Sequence, residues 1–158
     1  MRKLHAMGVA ALLAAGQALA AEEPFDACNL FTQAEAEKAL GTAAAPEPVN
    51  PKVKRPKVVT TCTYNGVKDG KAVEAKAQYR IARTDADAQH AFEEAKLKYA
   101  TKPLLLPGVD ATFWSAKTGE MNVRKGRTWI VVSVGSPKPN EREMDAARGL
   151  AAALAQKL

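Results

Sequence analysis

Histidine, cysteine and aromatic residues are all scarce in this 158-residue chain. There are two histidines, two cysteines and 6% aromatics. Two cysteines cannot build a four-cysteine zinc site or a disulfide-dense miniprotein. The sequence has no P-loop, no H-E-x-x-H helix, no EF-hand loop and no G-x-S-x-G elbow, so neither a metal site nor a cofactor is expected. Acidic residues are outnumbered, 17 against 23 basic, giving a net charge of +6. The longest apolar run, Met7–Ala15, is about half of the roughly 20 residues that span a bilayer. What is abundant is ordinary globular material: 47% hydrophobic and 25% charged residues, enough for one core and too little for two.

Residues 1–20 have the layout of a cleaved signal peptide. Arg2 and Lys3 precede the apolar run, and Ala18-Leu19-Ala20 is an A-x-A site, so cleavage is expected after Ala20 and a periplasmic or secreted location follows. No transmembrane segment is expected in the mature chain, residues 21–158, which form a single domain. His5 leaves with the signal, which makes His90 the sole imidazole. Placed next to Gln89 on the polar side of a helix, it has no nucleophile to serve. An exported pair of cysteines, Cys28 and Cys62, is expected to close a structural disulfide.

Periodicity supplies the elements. Asp26–Leu40 reads as an entry segment and first helix, with Thr32 and Glu35 as its capping box and Gly41 just past its end. A Pro-rich loop covers 42–57, where Pro46, Pro48, Pro51 and Pro56 preclude regular structure. Val58–Tyr64 is β-branched and aromatic, a strand followed by turn signals at Asn65-Gly66 and Asp69-Gly70. Val73, Ala75, Ala77, Tyr79 and Ile81 alternate with polar residues, one face buried and one wet. Ala88, Ala91, Phe92, Ala95 and Tyr99 line one side of a helix capped by Thr84. Strands are expected at 111–116, 120–124 and 127–134, joined by tight turns at Thr118-Gly119 and Lys125-Gly126. Asn140 and Glu143 suggest a capping box for a last helix with Met144, Ala147, Ala151, Leu154 and Leu158 inward. The expected fold is α+β: a single antiparallel sheet of about five strands, helices packed mainly on one face, order α-β-β-α-β-β-β-α.

The chemistry-bearing residues favour binding over catalysis, and no catalytic residue is assigned. Lys52, Lys54, Arg55 and Lys57 place four cations in six residues of the Pro-rich loop, while Lys117, Arg124, Lys125 and Arg127 surround the two later turns. Such patches suit an anionic polymer or an acidic envelope protein. Nucleic acid is not expected, because aromatic residues are not interleaved with the charges. Trp114 and Trp129 are either core or a ligand groove. The expected function is a non-catalytic binding or accessory module of the cell envelope, the alternative a hydrolase or transferase using acids around Asp110.

Several stretches also carry a resemblance: Asp26-Ala27-Cys28-Asn29-Leu30-Phe31-Thr32, then EAEKALG at 35–41, Cys62-Thr63-Tyr64, and Pro107–Trp114. The chain resembles small exported bacterial proteins of unknown function, secreted actinobacterial lipoproteins among them. The resemblance implies an α+β domain with a Cys28–Cys62 bridge and no assigned activity. A lipobox cysteine is missing here, which implies a periplasmic form without a lipid anchor.

Overall fold

The computed structural model describes residues 25–48, 58–100 and 102–158. The signal segment and Lys52, Lys54, Arg55 and Lys57 lie outside them. Three helices, α1 (Gln33–Leu40), α2 (Asp85–Tyr99) and α3 (Met144–Ala155), accompany six strands: β1 (Val58–Lys68), β2 (Lys71–Ile81), β3 (Lys102–Pro103), β4 (Ala111–Ser115), β5 (Glu120–Lys125) and β6 (Thr128–Gly135). The strands form one sheet in the order β1-β2-β6-β5-β4-β3, and every pairing is antiparallel. The α+β class and antiparallel sheet are as the sequence leads one to expect. The extra strand is β3, two residues that pair Lys102 with Trp114 and Pro103 with Phe113; a segment that short has no period to read.

Alternation assigns the two faces. Ala75, Ala77 and Tyr79 on β2 lie beside Val134, Val132 and Ile130 on β6, and Met121 and Val123 on β5 continue the row. This face buries the main core under α1 and α3, whose Ala36, Leu40, Ala147, Leu150, Ala151 and Leu154 are all buried. Among the described residues the opposite face receives only α2. Phe92 packs edge-on against Phe113 and Trp129, with ring centroids 5.1 and 5.7 Å apart, over Val131. Apolar residues on both faces of β6 thus reflect its position between β2 and β5, with a helix layer on each side. Ala91 is exposed on α2 and Leu158 lies beyond the last helical turn, so neither contributes to these cores.

Two turn and cap expectations resolve differently. Asn65-Gly66 does not turn the chain; β1 runs through it to Lys68, and Asp69-Gly70 makes the hairpin with φ of 51° and 73°. Both central residues of such a two-residue turn need positive φ, which Asp tolerates and Gly adopts freely. Asn140 belongs to a short 3-10 turn, Pro139–Glu141, and caps nothing. The residue before α3 is Glu143, with no side-chain cap; its N–H is instead taken by Val134 O at 2.8 Å.

The segment that starts α1 is fastened to the residues that follow α3. Thr32 and Glu35 make the capping box, and Lys157 near the C-terminus donates to Glu35 Oε2 at 2.8 Å and to Leu30 O at 2.6 Å. Burial pushes the Glu35 carboxyl up, but the bonds from Lys157 and Thr32 outweigh it and leave the group below the ordinary carboxylate range. A carboxyl lowered in the folded state stabilises above its unfolded pKa, and that stability is lost as pH falls through the folded value. The melting difference between the unmodified protein and Lys157→Met should therefore be largest near neutrality. It should shrink below the carboxylate range to whatever the Leu30 bond contributes. A difference constant from pH 7 to pH 2.5 would refute the coupling.

Candidate functional site

Cross-strand register builds a basic cleft on the α2 face. Arg80 pairs with Trp129 across β2 and β6, so its guanidinium falls over the indole, 4.4 Å from the ring centroid. Two further bonds fix this stack. Gln78 Oε1 accepts from Arg80 Nε at 2.9 Å, and Trp129 Nε1 donates to Asn122 Oδ1 at 3.1 Å. A guanidinium held over an indole gains cation–π attraction while keeping its outer N–H groups available. Although Arg80 as a whole is solvent-exposed, burial against its neighbours draws its pKa down, with Glu120 and Tyr99 acting the other way. It remains charged at any physiological pH. Among the described residues no carboxylate lies within ion-pair distance of it.

The cleft itself encloses about 180 Å³, lined by Arg80, Ala95, Tyr99, Ser115, Thr118, Glu120, Asn122, Trp129 and Val131. Two lysines flank the Tyr99 ring, Lys98 at 5.1 Å and Lys117 at 6.0 Å. Neither has an ion-pair partner among the described residues. The acid in the lining, Glu120, is already neutralised: its Oε1 is 3.7 Å from both Lys76 Nζ and Arg142 NH1. Among the described residues, Arg80, Lys98 and Lys117 thus leave an excess of unpaired cations around the cleft.

The sequence-derived candidates are divided by this arrangement. Trp129 lines the cleft, and Lys117 lies 6.0 Å from the ring of Tyr99 in its wall. Arg124, Lys125 and Arg127 do not reach it, because the β4–β5 and β5–β6 turns stand at opposite ends of β5, about 20 Å apart at the rise of a strand. Those three are engaged in holding the fold. Arg124 lies 3.1 Å from Asp110 Oδ2, Lys125 Nζ donates to Ala155 O at the end of α3, and Arg127 NH1 donates to Arg83 O. Trp114 is on the other face, buried in the main core. Asp110 accepts from Gly126 N at 2.8 Å, a bond that secures the β5–β6 turn, and its Oδ2 pairs with Arg124 NH1. His90 is exposed, 3.6 Å from Glu94. Among the described residues no group of three His, Cys, Asp or Glu could hold a metal ion.

Arg80 was the residue invisible to pattern reading. Within β2 it is one of several polar residues on the wet face, and only the pairing of β2 with β6, 49 positions downstream at Trp129, shows what it covers. A larger open groove of about 720 Å³ lies beside the β1–β2 turn, but its Lys68 and Lys138 face Glu143 and Glu141 at 3.7 and 3.3 Å. It presents no dominant sign of charge. No helix among the described residues is long and apolar enough to cross a membrane. Comparison with protein-family models, curated proteins and solved structures finds no match to this chain.

Proposed function

We propose that the protein is an exported, non-catalytic binding module of the bacterial cell envelope, and that it holds an anionic group in the cleft between α2 and the sheet. The observation that carries this reading is the Arg80 guanidinium, stacked at 4.4 Å on Trp129 and oriented by Gln78, with no described carboxylate to neutralise it. A pre-oriented fork of donors is how carboxylates and phosphates are recognised. Lys98 and Lys117 add long-range attraction on the same side. Export is supported by the Arg2-Lys3, apolar run and Ala18-Leu19-Ala20 pattern, and it agrees with the Cys28–Cys62 bridge. The partner class is an anionic polymer or an acidic group on an envelope protein.

Titration of the purified protein with small carboxylates and inorganic phosphate in low salt tests it, followed by Trp fluorescence because Trp129 forms part of the wall. Arg80→Ala should weaken binding about tenfold or more, the usual effect of losing one charge-assisted hydrogen bond. Lys54→Glu with Arg55→Glu should leave the titration unchanged. The reverse pattern would move the anion site to the Pro-rich segment and overturn the cleft.

A further inference from the structure

We infer that the ligand of this cleft is a polyhydroxylated carboxylate of monosaccharide size, an acidic sugar unit such as a uronate. The inference rests on the cleft being the anion site and adds the chemistry of the rest of the ligand. Three observations on the lining lead to it.

The first is that the cleft is not uniformly basic. Glu120 sits in the same lining as Arg80, and both of its ion-pair partners approach Oε1. Oε2 has no hydrogen-bond partner among the described residues. A compact anion such as phosphate fills the Arg80 fork but brings no separate hydroxyl-bearing part to that oxygen. A ligand with its negative charge at one end and hydroxyl donors at the other satisfies both groups, the carboxylate on the Arg80 fork and a hydroxyl on Glu120 Oε2.

The second concerns the remaining polar groups, which are suited to hydroxyls. Ser115, buried, accepts from Thr118 N at 3.3 Å and keeps its own O–H to donate. Tyr99 brings a phenol from α2. Asn122, by contrast, is spent on Trp129 and on Glu120 O, so it fixes the wall rather than the ligand. Neutral hydroxyl partners arrayed around one cation are of little use to acetate and of much use to a sugar acid.

The third is size and sign together. A volume of about 180 Å³ is the size for one ring and falls below the roughly 300–1,000 Å³ usual for drug-sized ligands. A free amino acid would also pair a carboxylate with Arg80, but its ammonium would meet a carboxylate that Lys76 and Arg142 already neutralise, in a field raised by Lys98 and Lys117. The hydroxyl ligand carries no such penalty.

Calorimetric titration of the unmodified protein with glucuronate, glucose, acetate, inorganic phosphate and alanine separates these chemistries. Glucuronate is expected to bind about tenfold or more tightly than each of the others, because each of them lacks one of the two matched groups or presents the wrong charge. Arg80→Lys should lose most of the glucuronate affinity, and Glu120→Gln should narrow its advantage over acetate, with melting curves confirming that both variants fold. Equal binding of acetate and glucuronate, both dependent on Arg80, would overturn the sugar acid and leave the anion site standing. Tighter binding of alanine or of phosphate would likewise replace the ligand class. Failure of every anion to bind would overturn both readings at once.

Discussion

Reducing or deleting the Cys28–Cys62 bridge should lower the stability of the folded protein by about 4 kcal/mol, the value the chain-entropy model gives for a closed loop of this size. The cysteines are 34 positions apart with Cα atoms 5.1 Å from each other, well within the range that a bridge spans. What the bridge holds explains why the effect should be large. It ties the short 3-10 turn Ala27–Asn29 to the middle of β1, where Ala27 N donates to Thr60 Oγ1 and Phe31 packs against Tyr64 at 5.1 Å. Helix α1 is eight residues long and cannot persist by itself. Its N-terminal end is held both by this tether and by Lys157, which bonds Leu30 O and Glu35. Denaturant unfolding of the unmodified protein with and without reductant should therefore show a clear loss under reduction. The Cys28→Ala, Cys62→Ala protein should match the reduced form and ignore reductant. Coincident curves for the oxidised and reduced protein would show that packing alone holds the N-terminal segment.

Local signals in the sequence correspond to local structure, and their failures have a common cause. The alternation from Val73 to Ile81 reads as a strand with one buried face because Ala75, Ala77 and Tyr79 meet β6 on that face. The Thr32–Glu35 box, the Thr84 cap and the Asp69-Gly70 turn are equally local, each made by residues within four positions. Asn65-Gly66 misleads because a tertiary contact overrides its turn preference. Ala45 N bonds Asn65 O at 2.8 Å, and a side chain at Gly66 would strike Ala43 O, so the glycine serves the close approach of this neighbouring segment. Asn140 misleads for a related reason, since β6 hands its end to Glu143 and starts α3 later than the capping pattern suggests. The basic residues are legible as cations but not as a site. Charge is visible in sequence, whereas the partner that neutralises each charge is set by register, and register separates Lys117 from Arg124, Lys125 and Arg127. The same non-locality hid the residue that ties the far side of the cleft together, Arg142.

Replacing Arg142 by Met should cost about 2–4 kcal/mol, below the largest losses seen for fully buried ion pairs because its carboxylate partners keep some solvent. Its side chain is 8% exposed and its guanidinium serves five acceptors. NH1 donates to Thr118 O at 2.8 Å and approaches Glu120; NH2 donates to Glu74 Oε1 at 3.1 Å and to Pro137 O; Nε donates to Ser136 O. The β4–β5 turn, the first part of β2 and the Ser136-Pro137 segment after β6 thus converge on one planar fork. Met fills the stem's volume but leaves Glu74 unpaired and three carbonyls without a donor. Lys keeps the charge without the fork and should fall between the two. Gly119 reports on the same junction from the turn side. Its φ is +61°, and a Cβ there would run into Pro139 O and the Arg142 side chain, so Gly119→Ala should be destabilising by a comparable amount. Urea denaturation measures these losses, and a double-mutant cycle with Glu74→Gln isolates the pair. If Arg142→Met unfolds within about 0.5 kcal/mol of the unmodified protein, as an ordinary surface substitution would, the junction is held by backbone pairing alone. The consequence for binding is separable from stability. Arg142 anchors Thr118 and Glu120, both in the cleft wall, but touches neither Arg80 nor Trp129. A folded Arg142→Lys protein should therefore still take up small carboxylates through Arg80 while losing discrimination for hydroxyls, because the acceptor at Glu120 no longer has a fixed position.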